Sequence, residues 1–133
     1  MPFRPITAED RELIDAARET LRRRYRPHRH TVGAALRTAS GRVYEGINVD
    51  GTGRGPCAED VALGAALVNG DRDVRAIVAV TKRGRAYAVL SPCGNCRQML
   101  LDYAPDATVI LMDGGKVVKA KARELLPGPY HGD

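Results

Sequence analysis

Near the start of the chain, apolar residues recur at helical spacing. Ile14, Ala17, Leu21 and Tyr25 follow one another every three to four positions, which is the period of an amphipathic helix face. Thr7 with Asp10 three residues later forms a helix-start signature, and Pro27 stops the run. The pattern predicts a helix near 8–24. Val32 to Thr38 and Arg42 to Ile47 then flank Ala39-Ser40-Gly41, a hairpin signal. Asp50-Gly51-Thr52-Gly53-Arg54-Gly55-Pro56 is rich in breakers and reads as a loop.

The second half changes character. Val61 to Val68 is apolar on nearly every side and stops at Asn69-Gly70, as a buried helix does. Val74 to Val80 is a continuous apolar run rich in β-branched residues, which suits a central strand covered on both faces. Lys82 to Arg85 reads as a turn. Val89-Leu90 leads into Pro92-Cys93, from which a third helix runs to about Tyr103. Thr108 to Met112 and Val117 to Ala120 read as strands around the turn Asp113-Gly114-Gly115, and a short helix spans Arg123 to Leu126 before Pro127. The order α-β-β-α-β-α-β-β predicts an α/β fold: one mixed, five-stranded sheet with helices on its faces in three layers. No repeat, linker or second composition interrupts it, so residues 1–133 read as a single domain.

Composition narrows the setting. No stretch is both long and uncharged enough to span a membrane, and the start lacks a signal-type apolar run. Three cysteines, an odd count, argue against a disulfide framework, and a reducing cytoplasm would keep the thiols available for metal. The net charge of +5 is concentrated in Arg18, Arg22, Arg23, Arg24, Arg26 and Arg29. Such a cluster can hold nucleic acid or another anion. With no Trp and one Phe, no aromatic residues interleave with these arginines to stack bases, which favours a solvated helix face followed by a basic turn.

The chemistry lies in Cys57-Ala58-Glu59 and Pro92-Cys93-Gly94-Asn95-Cys96, which contain all three cysteines. Three thiolates complete three corners of a Zn2+ tetrahedron, and a catalytic site keeps the fourth for water. Both cysteine groups fall at predicted helix starts, where free N–H groups and the helix dipole lower thiol pKa. Cys93 and Cys96 lie one turn apart on one face. Glu59, two residues after Cys57, is placed to move protons between water, a ring nitrogen and a leaving amine. The spacing C-x-E…P-C-x-x-C is the Cys-first form of the zinc nucleobase deaminase signature. A C-x-x-C alone also marks structural zinc or redox sites, and His28, His30 or His131 could close the tetrahedron; that alternative leaves Glu59 without a role.

These residues resemble the cytidine deaminase superfamily, most closely its blasticidin S deaminase-like members. The similarity runs over about three quarters of the chain, from Thr31 to Tyr130. It includes Val32-Gly33-Ala34-Ala35-Leu36, Gly46-Ile47-Asn48-Val49, Ser91-Pro92-Cys93-Gly94-Asn95-Cys96-Arg97-Gln98 and Arg123-Glu124-Leu125-Leu126-Pro127. The resemblance implies a zinc-dependent aminohydrolase, usually a homotetramer. It implies Cys57, Cys93 and Cys96 as metal ligands, Glu59 as proton shuttle, and substrate contacts at Asn48, Asp50, His30, Ala58 and Tyr130. The chain departs from the nucleoside-type pattern at Asp50, where relatives usually carry Glu, and at Gly51, where they carry Asn. Asp60 stands where many relatives have a charge-offsetting Arg, a role Arg97 could take over. Tyr130 is the one candidate for a C-terminal aromatic that closes over substrate, often from a neighbouring subunit.

The substrate expected from this resemblance is a small cytosine-type nucleoside: cytidine, deoxycytidine or a blasticidin S-like compound. Two alternatives stay open at this point. One is deamination of another heterocyclic amine, such as a free base, purine or pterin. The other is a non-catalytic zinc-stabilised module that uses the arginines on nucleic acid. Action on polynucleotide is disfavoured, because no insert is present to build a strand channel.

Overall fold

In the computed structural model, residues 2–53 and 55–132 are described. The chain forms β1 (Arg4–Pro5), α1 (Ala8–Arg24), β2 (Val32–Thr38), β3 (Val43–Ile47), α2 (Ala58–Val68), β4 (Val74–Arg83), β5 (Ala86–Leu90), α3 (Gly94–Tyr103), β6 (Thr108–Asp113) and β7 (Lys116–Lys121), then a 3-10 helical turn over Ala122–Glu124. The helix predicted near 8–24 has those bounds. Thr7 caps it: its Oγ1 accepts from Asp10 N–H at 3.4 Å, and Asp10 Oδ2 accepts from Thr7 N–H at 2.8 Å. This reciprocal box satisfies two donors that the first turn leaves free.

The sheet runs β1-β7-β6-β4-β2-β3, and β5 also pairs with β4. β4 meets β6 in parallel and its other neighbours antiparallel. β2 lies along one edge of β4. On the other edge, β6 pairs with Ala76 and Ile77, and β5 pairs with Ala79 to Arg83. The mixed sheet and three layers are those expected, but the strands number seven among the described residues rather than five. The extra two are β1 and β5. β1 is a two-residue pairing with Lys119 and Val118 beside two prolines. β5 forms because β4 continues three residues past Val80, turning the expected turn at Lys82 to Arg85 into a hairpin tip at Gly84, whose φ is +63°.

Strand alternation assigns the core to two faces. Ala34, Leu36, Ile77, Ala79, Val109 and Leu111 pack with α2 and α3. Ala35, Val78, Val80 and Ile110 point the other way, against Leu13, Ala17 and Leu21 of α1. This two-sided burial is why β4 reads as an unbroken apolar run. α2 lies so close on β3 that a Cβ at Gly46 would collide with Ala58 O and Ala62 N; the missing side chain lets the start of α2 sit against the sheet. On the opposite face, Lys119 Nζ donates to Asp10 Oδ2 at 2.8 Å, joining β7 to the start of α1.

Candidate active site

Two helix starts meet at one end of this sheet. Cys57 is the N-cap residue of α2 and Cys93 that of α3, both with extended backbone, φ,ψ of −71°,159° and −70°,171°. Cys96 sits in the first turn of α3 and is buried. The three Sγ atoms lie within 4.8 Å of one another, with Cys57 and Cys93 at 3.9 Å. Tetrahedral bonds of 2.3 Å place neighbouring sulfurs about 3.8 Å apart, so the spacing suits one zinc ion. Among the described residues no histidine joins the group, and neither His28, His30 nor His131 supplies a fourth ligand.

The three thiols differ in proton affinity. Burial pushes the Cys96 thiol far up, with the neighbouring Glu59 charge adding to it. Burial also pushes Cys57 up. Burial acts upward on Cys93 too, but hydrogen bonds from the Cys96 and Asn95 backbone and from the other two thiols outweigh it, and its pKa falls below the ordinary value. Three sulfurs this close cannot all ionise beside one another unaided. A divalent cation held by the three sulfurs would reverse that balance and keep them as thiolates.

Ala58 and Glu59 open α2 and are both buried. Burial raises the Glu59 pKa, the helix backbone N–H opposes this, and the Asp60 charge raises it further. Asp60 Oδ2 accepts the Cys57 N–H at 3.3 Å. Its carboxylate is thus the capping partner of Cys57, a position where helices favour an acid.

A cleft of about 410 Å³ opens over these groups, and Asn48, Asp50, Ala58, Glu59 and all three cysteines line it. Asn48 is 7% exposed. Its Oδ1 accepts from the N–H groups of Thr31 and Val32 at 2.8 and 2.9 Å, and its Nδ2 donates to Thr31 Oγ1 at 3.2 Å. One Nδ2 hydrogen is left uncommitted by these bonds. Asp50 stands at the mouth, where Arg29 Nη1 donates to its carbonyl at 3.1 Å.

Two expected contacts lie elsewhere. His30 Nδ1 donates to Asn48 O at 2.9 Å, and its ring is not part of the cleft lining. Tyr130 is 75% exposed, outside the cleft of its own chain, with its carbonyl held by Gln98 Nε2 at 3.0 Å. Arg97, considered as an offset to thiolate charge, donates instead to two carbonyls: Pro92 O from Nε at 2.9 Å and Leu125 O from Nη1 at 3.1 Å.

Thr31, Val32, Leu90 and Ser91 also line the cleft, though the sequence motifs named none of them as a substrate contact. Ser91 Oγ accepts from Met112 N–H and donates to Met112 O, at 3.0 and 3.2 Å, which fixes the segment entering Cys93. Its place directly before Pro92-Cys93 was the available signal. Half of the arginine cluster is paired with acids: Arg18 with Asp15, Arg22 with Glu19 and Arg23 with Glu45.

The chain is similar to known proteins over most of its length. A family model described as the cytidine and deoxycytidylate deaminase zinc-binding region matches residues 7–112. The chain is 39% identical over 132 residues to a blasticidin-S deaminase of Bacillus cereus, covering 94% of each. It is 36% identical over 123 residues to a cytidine deaminase of Halalkalibacterium halodurans, covering 89% of this chain and 91% of the other. The crystal structure of cytidine deaminase from Burkholderia pseudomallei superposes with a TM-score of 0.77 at 35% identity, covering 94% of this chain and all of that one.

Proposed function

The chain belongs to the cytidine and deoxycytidylate deaminase family, and from that premise we propose that it hydrolyses the exocyclic amine of a cytosine-type nucleoside, giving the uracil-type product and ammonia. One observation carries this reading: buried Glu59 shares the cleft with three thiols at metal-binding spacing. Cys57, Cys93 and Cys96 would hold Zn2+. The bound ion supplies a Lewis acid that makes water nucleophilic at neutral pH.

The chain's own groups do the rest. Glu59 Oε accepts one proton of the attacking water and delivers it to the ring nitrogen, then accepts the remaining hydroxyl proton and passes it to the amine, which leaves as ammonia as the C=O bond forms. Ala58 offers a free first-turn N–H to the ring. Asn48 holds the Thr31–Val32 wall and turns its remaining Nδ2 hydrogen towards a sugar hydroxyl, while the Asp50 carboxylate accepts from another. His30 acts through the carbonyl of Asn48, steadying that wall.

We further propose that the chain works as one domain, in the cytoplasm, as a homotetramer. The outward face of α2 supports the assembly: Val68 is 84% exposed and Gly64 has no close neighbours, so another copy can approach closely. Tyr130, exposed in its own chain, would then close the cleft of a neighbouring subunit.

Ammonia release by the zinc-loaded protein across cytidine, deoxycytidine, cytosine, blasticidin S and guanine tests the reading, with Glu59→Ala as blank. Turnover of at least one cytosine nucleoside is expected. Activity on free bases alone, or none with zinc retained, would contradict the substrate class.

A further inference from the structure

Pro92, immediately before the ligand Cys93, is buried, and so is Leu125 at the end of the 3-10 turn. Both carbonyls receive hydrogen bonds from one half-buried guanidinium: Arg97 Nε reaches Pro92 O at 2.9 Å and Nη1 reaches Leu125 O at 3.1 Å. The Arg97 backbone N–H donates to Cys93 O at 2.9 Å. One residue, adjacent to the ligand Cys96, therefore grips the Pro92–Cys93 segment from the side chain and from the main chain. Ser91 Oγ holds the start of the same segment through both polar groups of Met112. Gln98, next along α3, holds Tyr130 O at 3.0 Å. The C-terminal segment and the metal loop thus share one anchor.

We propose that Arg97 is a positioning residue: it fixes the Cys93 sulfur relative to Cys96 and Cys57, and registers the C-terminal segment against the metal helix. The inference rests on the zinc reading above. A guanidinium suits the task because its planar fork presents two N–H directions at a set angle, which a lysine ammonium does not reproduce. Removing the fork would leave two buried carbonyls without their donor and free the segment carrying Cys93. Outer groups that orient metal ligands typically change metal affinity by about 10–100-fold.

The test follows metal rather than turnover. Zinc release from intact protein to a chromogenic chelator is timed for wild type, Arg97→Gln, Arg97→Lys and Gln98→Ala, well below each melting temperature. The thiolate-to-cobalt absorption bands of the Co2+-substituted forms are recorded alongside. Arg97→Gln should release zinc about 10–100-fold faster and alter the cobalt bands. Arg97→Lys should recover only part of the difference, and Gln98→Ala, which loosens the tail alone, should match wild type. Unchanged release and spectrum in Arg97→Gln, with only the melting temperature lowered, would overturn the proposal. If Arg97→Gln does not fold, wild-type release by Arg97→Lys would do the same. A wild-type chain that takes up neither ion would remove the zinc reading itself, and this inference with it.

Discussion

The Cys57 backbone N–H donates to Asp60 Oδ2 at 3.3 Å, so an acid in the first turn caps the helix that Cys57 opens. The carboxylate stands at the third helical position, where it complements the positive end of the α2 dipole. Asp60→Ala removes that cap. It should lower stability by about 1 kcal/mol, read by denaturant unfolding of the metal-loaded protein. An unchanged midpoint would show that the cap does not hold α2.

The three thiols act as one donor set, since their Sγ atoms lie within 4.8 Å of each other. Cys96→Ser replaces the buried sulfur with a harder oxygen donor. Zinc affinity should fall by more than the roughly 10–100-fold typical of losing an outer partner, as measured by chelator competition. Wild-type affinity in this variant would exclude Cys96 as a ligand.

The Asp10–Lys119 pair sets a pH dependence away from the site. Burial raises the Asp10 pKa, but hydrogen bonds from Lys119 and Thr7 together carry it below the ordinary 3.8. A carboxyl whose folded pKa is depressed contributes stability above its unfolded pKa and loses it as pH falls through the folded value. Asp10→Asn should therefore be less stable than wild type at neutral pH, and the two should converge below about pH 4. Urea unfolding across pH 2–7 (roughly the range in which carboxylates titrate) checks this. A constant difference would show that the ion pair contributes nothing.

Local chemistry made much of this legible. Thr7 and Asp10 marked the start of α1 because a capping box is a contact between near neighbours in sequence. Cys57-Ala58-Glu59 and Pro92-Cys93 marked the cysteine-bearing helix starts for the same reason. β1 was hidden because a two-residue pairing that includes Pro5 leaves no periodicity. β5 was hidden because Ala86 and Ala88 have weak strand preference, and only the length of β4 gives them a partner. The cleft walls were hidden for a different reason. Thr31 approaches Asn48, and Ser91 approaches Met112, only through strand pairing and crossover. Tyr130 was readable as an aromatic near the end of the chain, but its exposure depends on how the tail lies along α3.

Glu59 is the residue on which the account turns. Glu59→Gln preserves its size while removing the proton acceptor. The direct measurement is single-turnover deamination of cytidine or deoxycytidine by this variant, with its zinc content assayed on the same sample. The account predicts one zinc per chain as in wild type and a chemical step slowed by about 10²–10⁴-fold. A zinc-loaded Glu59→Gln protein that deaminates at the wild-type rate would contradict it.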